Sequence, residues 1–301
     1  DAPDLFKSRL KISLNRQARH LFRIPLLPRT QADAFKIWRG RVFAALFLPK
    51  YRPRLVGAVG EMIEGIPGHI FPDGGHFSRS PQMQIECLAT LVHIRATLEA
   101  VSAEVPEVLQ GAIDRMTPMV RTFLHADGAL AAFNASDGGD ADAIVRILEM
   151  TRSRAKPTSS APHTGFHRIS AQRTLILFES GVPADSAPLV CGHAGTLSFE
   201  MSVGPHRMIV NCGSVSRQDN TTLAEALRAT AAHSTLTIAD VHSSDIEAGG
   251  GFGKRRARNV TVRRREQDRN VLVEAAHDGY LQPFGMTHRR SLYLARDGLD
   301  L

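Results

Sequence analysis

The sequence predicts a multi-domain protein of mixed α and β structure, with N-terminal helical hairpins followed by an antiparallel β-sandwich. Three observations predict it: a length of 301 residues, amphipathic helical patterns in the first half, and short β-branched segments in the second half. Because one hydrophobic core rarely serves more than about 250–300 residues, this length favours two domains. We expect helices over residues 1–152, a linker over 153–164 and the sandwich over 165–301.

The helices of the first half are predicted from apolar residues at helical spacing and from the prolines that bound them. They are Gln31–Leu48, Arg54–Ile66, one that begins at Pro81, one that begins at Pro106 and is kinked at Pro118, and Ala141–Met150. Pro49 should end the first of them, and Pro67 with Gly68 the second, because proline cannot continue a helix. Successive amphipathic helices joined by short loops imply stacked hairpins.

The second half begins after a polar, proline-bearing stretch, SRAKPTSSAPHTG, from Ser153 to Gly165. The predicted strands beyond it are Arg173–Glu179, Thr196–Val203, Arg207–Cys212, Thr235–Ile238, Val260–Arg265, Val271–Ala275 and His288–Leu294. Short strands that follow one another with no helical pattern between them are typical of an antiparallel sandwich.

Several functional classes are excluded by what the sequence lacks. No uncharged apolar run is long enough to cross a bilayer, so no membrane span is expected. Neither GxxxxGK[ST], CxxC, HExxH nor GxSxG occurs, which excludes the commonest nucleotide, zinc-finger, metalloprotease and serine-hydrolase sites. Three cysteines are too few for a disulfide framework, and Cys87 falls on an apolar helix face as a small core residue.

The charge is distributed unevenly and indicates an anionic partner. The net charge is +7, and KRRARNVTVRRREQDR, Lys254–Arg269, carries much of the excess. Such a surplus suits nucleic acid, an acidic polysaccharide or a membrane surface. No nucleic-acid partner is expected, because no recognition motif occurs and aromatic residues make up only 6% of the chain. The alternative is a strand pair whose charged faces are simply solvated.

Three polar patches contain the candidate functional side chains. The first patch is the loop FPDGGHFSRSP, Phe71–Pro81, with His76, Ser78 and Arg79. The second patch is Cys191–Gly213, with Cys191, His193 and Asn211, and the third is Ala229–Ile238, with His233. Alternation along a strand would place Cys191 and His193 on one face, and hairpin pairing would bring Asn211 towards His193. A histidine at a strand entrance is also commonly a hydrogen-bonded structural residue.

Four motifs resemble those of the heparinase II/III-like polysaccharide lyases: FPDGGHFSRSP, GHAGTLSFEMSVGPHRMIVNCG, RATAAHSTLTI and AAHDGYLQPFGMTHRRSLYL. The resemblance implies an α/α toroid followed by a β-sandwich, with the active groove between them, and a periplasmic or cell-envelope location. It also implies that the chain is a central piece of a longer protein, with an incomplete sandwich. The implied reaction is β-elimination on uronic-acid-containing acidic glycans. This reaction needs a group that neutralises the carboxylate, a base and an acid.

The resemblance assigns roles to named residues. The implied catalytic residues are His193, His233, His76 and Tyr280. The implied substrate-binding residues are Arg79, Asn211 and Ser78. Some members hold a structural zinc, which here would fall on His193, Asn211 and His233, with Cys191 as an alternative soft ligand; no other cofactor is implied. Because Asn is a neutral and weaker ligand, the zinc set departs from the family pattern.

Two further departures leave the function open. Met83 takes the position where several relatives have a proton-transferring tyrosine, and Gly195 replaces an acidic residue. Three accounts remain: other groups do the chemistry (His76, His193, Tyr280), a segment outside this chain supplies them, or the protein is a catalytically degenerate relative that binds glycan without lyase activity.

Structural alternatives also remain for single residues of the motifs. Arg79 would either face a sugar carboxylate or pair with Asp73 across its loop. Tyr280 would either take part in proton transfer or be a buried tyrosine whose hydroxyl satisfies a strand end. Of Arg289 and Arg290, adjacent on a predicted strand, one must face outward.

Overall fold

The first half of the chain is helical. The computed structural model describes residues 3–25, 33–183, 192–216, 219–247 and 251–300. The helices that precede the strands are α1 Asp4–Leu21, α2 Ala34–Phe47, α3 Leu55–His69, α4 Pro81–Ala100, α5 Glu107–Thr122 and α6 Ala141–Thr151. Pro81 is the first residue of α4, as predicted, because its fixed φ suits the first helical position. Cys87 is buried, also as predicted.

Two helix predictions are corrected. α3 continues through Pro67 and ends at His69, so Pro67 and Gly68 do not stop it. A proline this close to a helix end removes a single backbone donor, and the His69 ring bonds to the Gly65 carbonyl in the last turn, 2.9 Å away. Helix α1 was not predicted, because its residues are mostly polar and exposed and only Ala18 is buried.

Five antiparallel strands form the first sheet. They are β1 Ser160–Ala161, β2 Phe166–Ala171, β3 Thr174–Glu179, β4 Phe199–Val203 and β5 His206–Ile209, paired in that order. The sequence did not predict β2, and β1 lies inside the predicted linker. The prediction of a strand at Thr235–Ile238 is wrong: this segment forms only an isolated bridge between Ile238 and Val241.

Three further antiparallel strands form the second sheet, β6 Val260–Gln267, β7 Asn270–His277 and β8 His288–Leu294. Buried and half-buried residues alternate along β7, so one face of this sheet is buried. Residues of both sheets share one apolar cluster, which contains Ile169, Ile176, Phe178, Leu197, Val271, Val273, Ala275, Leu292 and Leu294. Two short helices, α7 Thr221–Ala226 and α8 Leu281–Phe284, lie in the connections.

The chain divides into two compact units. The first comprises Asp1–His69 and Ala89–Ile113, and the second comprises Ile70–Leu88 and Asp114–Leu301. The loop of the first patch belongs to the unit that contains the strands. All three polar patches therefore lie in the second unit. In the described part of the chain, no helix has the length and apolar character that a bilayer crossing requires.

Candidate functional site

The loop of the first patch is held in place by its glycines and by Asp73. Gly74 has a φ of +86°, and a Cβ there would lie 1.9 Å from the Arg115 carbonyl oxygen, so a side chain does not fit. The Asp73 carboxylate accepts bonds from the backbone N–H and the hydroxyl of Thr164, at 2.8 and 2.6 Å. The expectation that Asp73 pairs with Arg79 is therefore wrong.

Arg79 is buried and fully engaged inside the protein. Its guanidinium donates to the carbonyl of Thr164 at 2.7 Å, to the carbonyl of Val182, and to the Glu179 carboxylate at 3.0 Å. Only 5% of its side chain is exposed, and 3% of that of Glu179. Burial lowers the pKa of Arg79 and raises that of Glu179, and in each case the partner's charge opposes the shift. Arg79 thus neutralises Glu179 inside the protein.

His76 and Ser78 are also buried within the first patch. The Nδ1 atom of His76 lies 2.8 Å from the Ser78 hydroxyl, and the His76 backbone N–H donates to Gln84 at 2.6 Å. Their exposed fractions are 2% and 1%. These contacts place both residues in the turn that precedes α4.

A corner at Asn134 and Ala135 joins the first patch to the second. The Asn134 amide donates to the Arg79 carbonyl and to the Glu179 carboxylate, at 3.2 and 2.7 Å. Its oxygen accepts the backbone N–H of His193 at 3.2 Å. The φ angles of Asn134 and Ala135 are +45° and +61°, in the left-handed region that costs a non-glycine residue about 1–2 kcal/mol. This corner was not predicted; its one local signal in the sequence is an asparagine shortly before the Asp137-Gly138-Gly139 turn.

His193 and His233 form a buried hydrogen-bonded pair. His193 lies in the loop before β4, not in a strand, and Cys191 lies outside the described residues. The Nδ1 atom of His193 is 3.1 Å from Nε2 of His233, and the Ala135 N–H donates to Nε2 of His193, also at 3.1 Å. Burial lowers the pKa of His193 well below its ordinary value and that of His233 to about 4. Both rings are therefore neutral at neutral pH.

The glycine that replaces an acidic residue of the family pattern makes room for this pair. A Cβ on Gly195 would lie 2.7 Å from the Cδ2 atom of His233, far inside normal contact distance. The absence of a side chain at position 195 is therefore a steric requirement of the His233 ring position.

Asn211 connects the second patch to the third. The side-chain oxygen of Asn211 accepts the backbone N–H of Ser234, the residue after His233, at 2.9 Å. The backbone N–H of Asn211 donates to the Glu200 carboxylate at 3.1 Å. Glu200 is fully buried and also accepts from His125 at 3.0 Å. Neither Glu200 nor His125 was predicted from the sequence, because their contacts join residues 75 positions apart in the chain.

The predicted zinc site does not fit these contacts. Among the described residues, no group of three His, Cys, Asp or Glu side chains is placed to hold a metal ion. The third implied ligand, the oxygen of Asn211, already accepts the Ser234 N–H. The hydrogen bonds of His193 and His233 also use the nitrogens that a metal would need.

Tyr280 is a buried side chain. Its hydroxyl donates to the Leu236 carbonyl at 2.8 Å, and burial raises its pKa. This geometry agrees with the alternative interpretation, a buried tyrosine whose hydroxyl is satisfied. Nearby, His277 Nε2 and His288 Nδ1 form a second buried pair at 3.0 Å, which the sequence analysis did not identify.

The outer face of the second sheet carries exposed arginines. Arg263, Arg265 and Arg289 line a shallow concavity of about 380 Å³, together with Glu274. Arg265 pairs with Glu274 at 3.5 Å. Arg290 points the other way and donates to the carbonyls of Leu197 and Ser234, both at 2.6 Å, which confirms that only one of the two adjacent arginines faces outward. We call Arg263, Arg265 and Arg289 the arginine face.

Comparison with known proteins finds relatives of two kinds. FtsZ-localized protein C of Caulobacter vibrioides is 27% identical over 300 residues, which cover 98% of this chain and 51% of that protein. The crystal structure of heparinase III superimposes with a TM-score of 0.74 at 13% identity, over 96% of this chain and 49% of the other. Heparan sulfate lyase HepC from Pedobacter heparinus gives a TM-score of 0.67 at 15% identity, over 97% and 48%.

These matches show that the chain has the fold of heparinase III, with helices and antiparallel sheets, and spans about half the length of these relatives. A family model described as "Heparinase II/III-like, C-terminal" matches residues 153–301. As the sequence motifs indicated, residues 153–301 belong to the heparinase II/III-like C-terminal domain family.

Proposed function

We propose that this chain is part of a catalytically degenerate relative of the heparinase II/III-like lyases, which binds an acidic glycan and does not cleave it. One observation carries the proposal: every group predicted to transfer protons is buried and already hydrogen-bonded within the protein. A general base must come within hydrogen-bonding distance of the proton that it removes. His193, His233, His76 and Tyr280 have exposed fractions of 3%, 8%, 2% and 0%.

The electrostatic requirement of β-elimination also lacks a group among the predicted residues. The uronate carboxylate must be neutralised as negative charge develops on it. Arg79 already neutralises Glu179 at 3.0 Å. The side-chain N–H₂ of Asn211 could donate to a carboxylate, but this residue is only 5% exposed. Met83, at the position of the family tyrosine, cannot transfer a proton. This combination favours binding without cleavage over lyase activity.

We assign glycan binding to the arginine face. Arg263 and Arg265 are two residues apart on β6 and point to the same side, about 7 Å apart along the strand. Arg289 extends the positive surface from β8 across Ala276, with which it is in register. Guanidinium groups form paired hydrogen bonds with carboxylate and sulfate oxygens, which uronic-acid glycans carry. Only Glu274 offsets the three charges within the concavity.

The toroid and sandwich arrangement is part of the same proposal. The likeness to heparinase III and the apolar cluster that the two sheets share support a β-sandwich after part of an α/α toroid. In this arrangement the arginine face lies on the outside of the sandwich, on the sheet face opposite the shared cluster.

The proposal is tested by measuring cleavage and binding separately on the full-length protein. Cleavage by β-elimination creates an unsaturated uronate that absorbs in the near ultraviolet, and we expect no growth in absorbance with heparan sulfate, alginate or related polymers. On a column carrying the same glycans, we expect retention that weakens with salt. Growth in absorbance would refute the proposal.

A charge-matched pair of variants tests the binding surface. Arg263→Glu/Arg265→Glu/Arg289→Glu should elute at clearly lower salt than the wild type. The control, Arg9→Glu/Arg16→Glu/Arg146→Glu, changes the net charge equally at exposed helical positions. Equal loss of retention in both variants would show a general charge effect and contradict a specific arginine face.

A second candidate function is localisation with FtsZ. Its support is the 27% identity to FtsZ-localized protein C, which extends over 98% of this chain and so includes both units. A fluorescent fusion of the full-length protein should then coincide with FtsZ in dividing cells. A fusion that is evenly distributed while FtsZ forms rings would remove this candidate and leave glycan binding untouched.

A further inference from the structure

We infer that the His193–His233 pair is a metal-independent clasp, in which one shared proton and two backbone groups take the place of a metal ion. The pair fastens the loop of the second patch to the third patch, 40 residues further along the chain. This inference does not depend on the proposed function, because it concerns the protonation and partners of the two rings alone.

The backbone partners fix the tautomer of both rings. A backbone N–H can only donate, so Nε2 of His193 must accept from Ala135. A carbonyl oxygen can only accept, so Nδ1 of His233 must carry a proton and donate to Ala229, 2.8 Å away. In neutral rings, the remaining proton therefore sits on Nδ1 of His193 and is donated to Nε2 of His233. All four ring nitrogens then have a partner of the correct kind.

This tautomer pattern conflicts with metal binding. A metal between the rings would need the Nδ1 lone pair of His193, and the ring proton would move to Nε2. Two N–H groups, from Ala135 and His193, would then face each other across 3.1 Å. Metal binding would therefore break the bond to Ala135 and also the bond between the two rings. The loss of two buried hydrogen bonds opposes the exchange.

Asn134 is the positioning residue of the clasp. Its side chain bonds Arg79, Glu179 and the His193 backbone, and this holds the left-handed corner that directs the Ala135 N–H at the His193 ring. The left-handed backbone of Asn134 and Ala135 persists because buried hydrogen bonds hold both residues in place.

Nuclear magnetic resonance of the full-length protein labelled with ¹⁵N-histidine tests the tautomers directly. We expect both His193 and His233 to show a protonated Nδ1 and an unprotonated Nε2. A His193→Gln variant assigns the signals and keeps an acceptor for the Ala135 N–H. A protonated Nε2 on His193 would overturn the inference.

A second experiment measures the metal content of the protein. Wild type and His193→Gln are purified from zinc-supplemented cultures, and their zinc content and melting temperatures are measured with chelator and with added Zn²⁺. We expect wild type and variant to contain equal amounts of zinc. We also expect chelator and added Zn²⁺ to shift the two melting temperatures equally. One equivalent of zinc bound by the wild type and lost in His193→Gln would overturn the inference.

If His193→Gln does not fold, the wild type still decides the matter through its tautomers. Where the variants fold, His193→Ala should melt at a lower temperature than His193→Gln, because only Gln retains an acceptor for Ala135. The opposite order would contradict the assigned direction of this bond.

Discussion

Replacing Arg79 by Leu should strongly destabilise the second unit. The substitution removes three hydrogen bonds and leaves the Glu179 carboxylate, whose side chain is 3% exposed, without its counter-charge. Breaking a buried ion pair by removing one partner costs about 3–5 kcal/mol. Asn134 and Ser198 still donate to the carboxylate, at 2.7 and 3.4 Å, so we expect about 3 kcal/mol, the low end of that range.

The assay is hydrogen exchange of the amides in β2 and β3 across a urea series, because it reports the free energy of opening for this segment alone. Arg146→Leu, at an exposed position of α6, is the control and should change the opening free energy by less than about 0.5 kcal/mol. Arg79→Lys should fall between the two, since an ammonium keeps the charge but not the fork of donors.

A double-mutant cycle separates the ion pair from its surroundings. Glu179→Gln in the Arg79→Leu background should be less harmful than Glu179→Gln alone, because no buried charge is left unpaired in the double variant. A loss below about 1 kcal/mol for Arg79→Leu, with an unchanged fold, would refute the assignment of Arg79 as the internal partner of Glu179.

Two further predictions concern histidines. The folded pKa values of His277 and His288 are about 4, chiefly because of burial, against an ordinary 6.5. The unfolded state therefore binds more protons between these values, so stability is complete above pH 6.5 and falls as the pH drops towards 4. In urea unfolding, a His277→Gln/His288→Gln variant should show a shallower slope across that window, and an unchanged slope would contradict the assignment. Separately, Gly195→Ala should cost about 1–3 kcal/mol, because its Cβ meets the His233 ring at 2.7 Å. Gly57→Ala, with open space in α3, is the thermal-melting control and should be neutral or stabilising; equal melting of the two variants would contradict the steric reasoning.

Local patterns in the sequence predicted most of the fold. Proline at a first helical position marked α4, and alternation of apolar residues marked β7 and β8, because both signals act within a few residues. Pro67 misled the prediction of α3, because this helix continues through the proline and ends two residues later, at His69. The strand predicted at Thr235–Ile238 failed because its pattern lacks the neighbouring strand that would pair with it.

The candidate site was predicted only in part, because its contacts join distant parts of the chain. The motifs named His193 and His233 correctly as neighbours, but their partner Ala135 has no side chain that suggests a role. Arg79 and Glu179 are 100 residues apart, and nothing local shows that one neutralises the other. A glutamate that ends the apolar strand β3 was the available signal, since a carboxylate there needs a buried cation.

The position of Met83 gives a last test of the proposal that this protein binds glycan without cleaving it. Several lyases of the family have a proton-transferring tyrosine at this position. If its absence alone prevented cleavage, Met83→Tyr would restore lyase activity. The structure predicts otherwise, because His193 and His233 have no ring nitrogen left for a substrate and Arg79 is committed to Glu179.

We therefore expect full-length Met83→Tyr to produce no growth in near-ultraviolet absorbance with any uronate polymer that the wild type retains. Met83→Phe is the matched control, since it adds the ring without the hydroxyl, and both variants should keep wild-type retention on the glycan column. Absorbance growth with Met83→Tyr and not with Met83→Phe would mean that a single hydroxyl was the missing part. The buried histidine network would then not be what prevents catalysis.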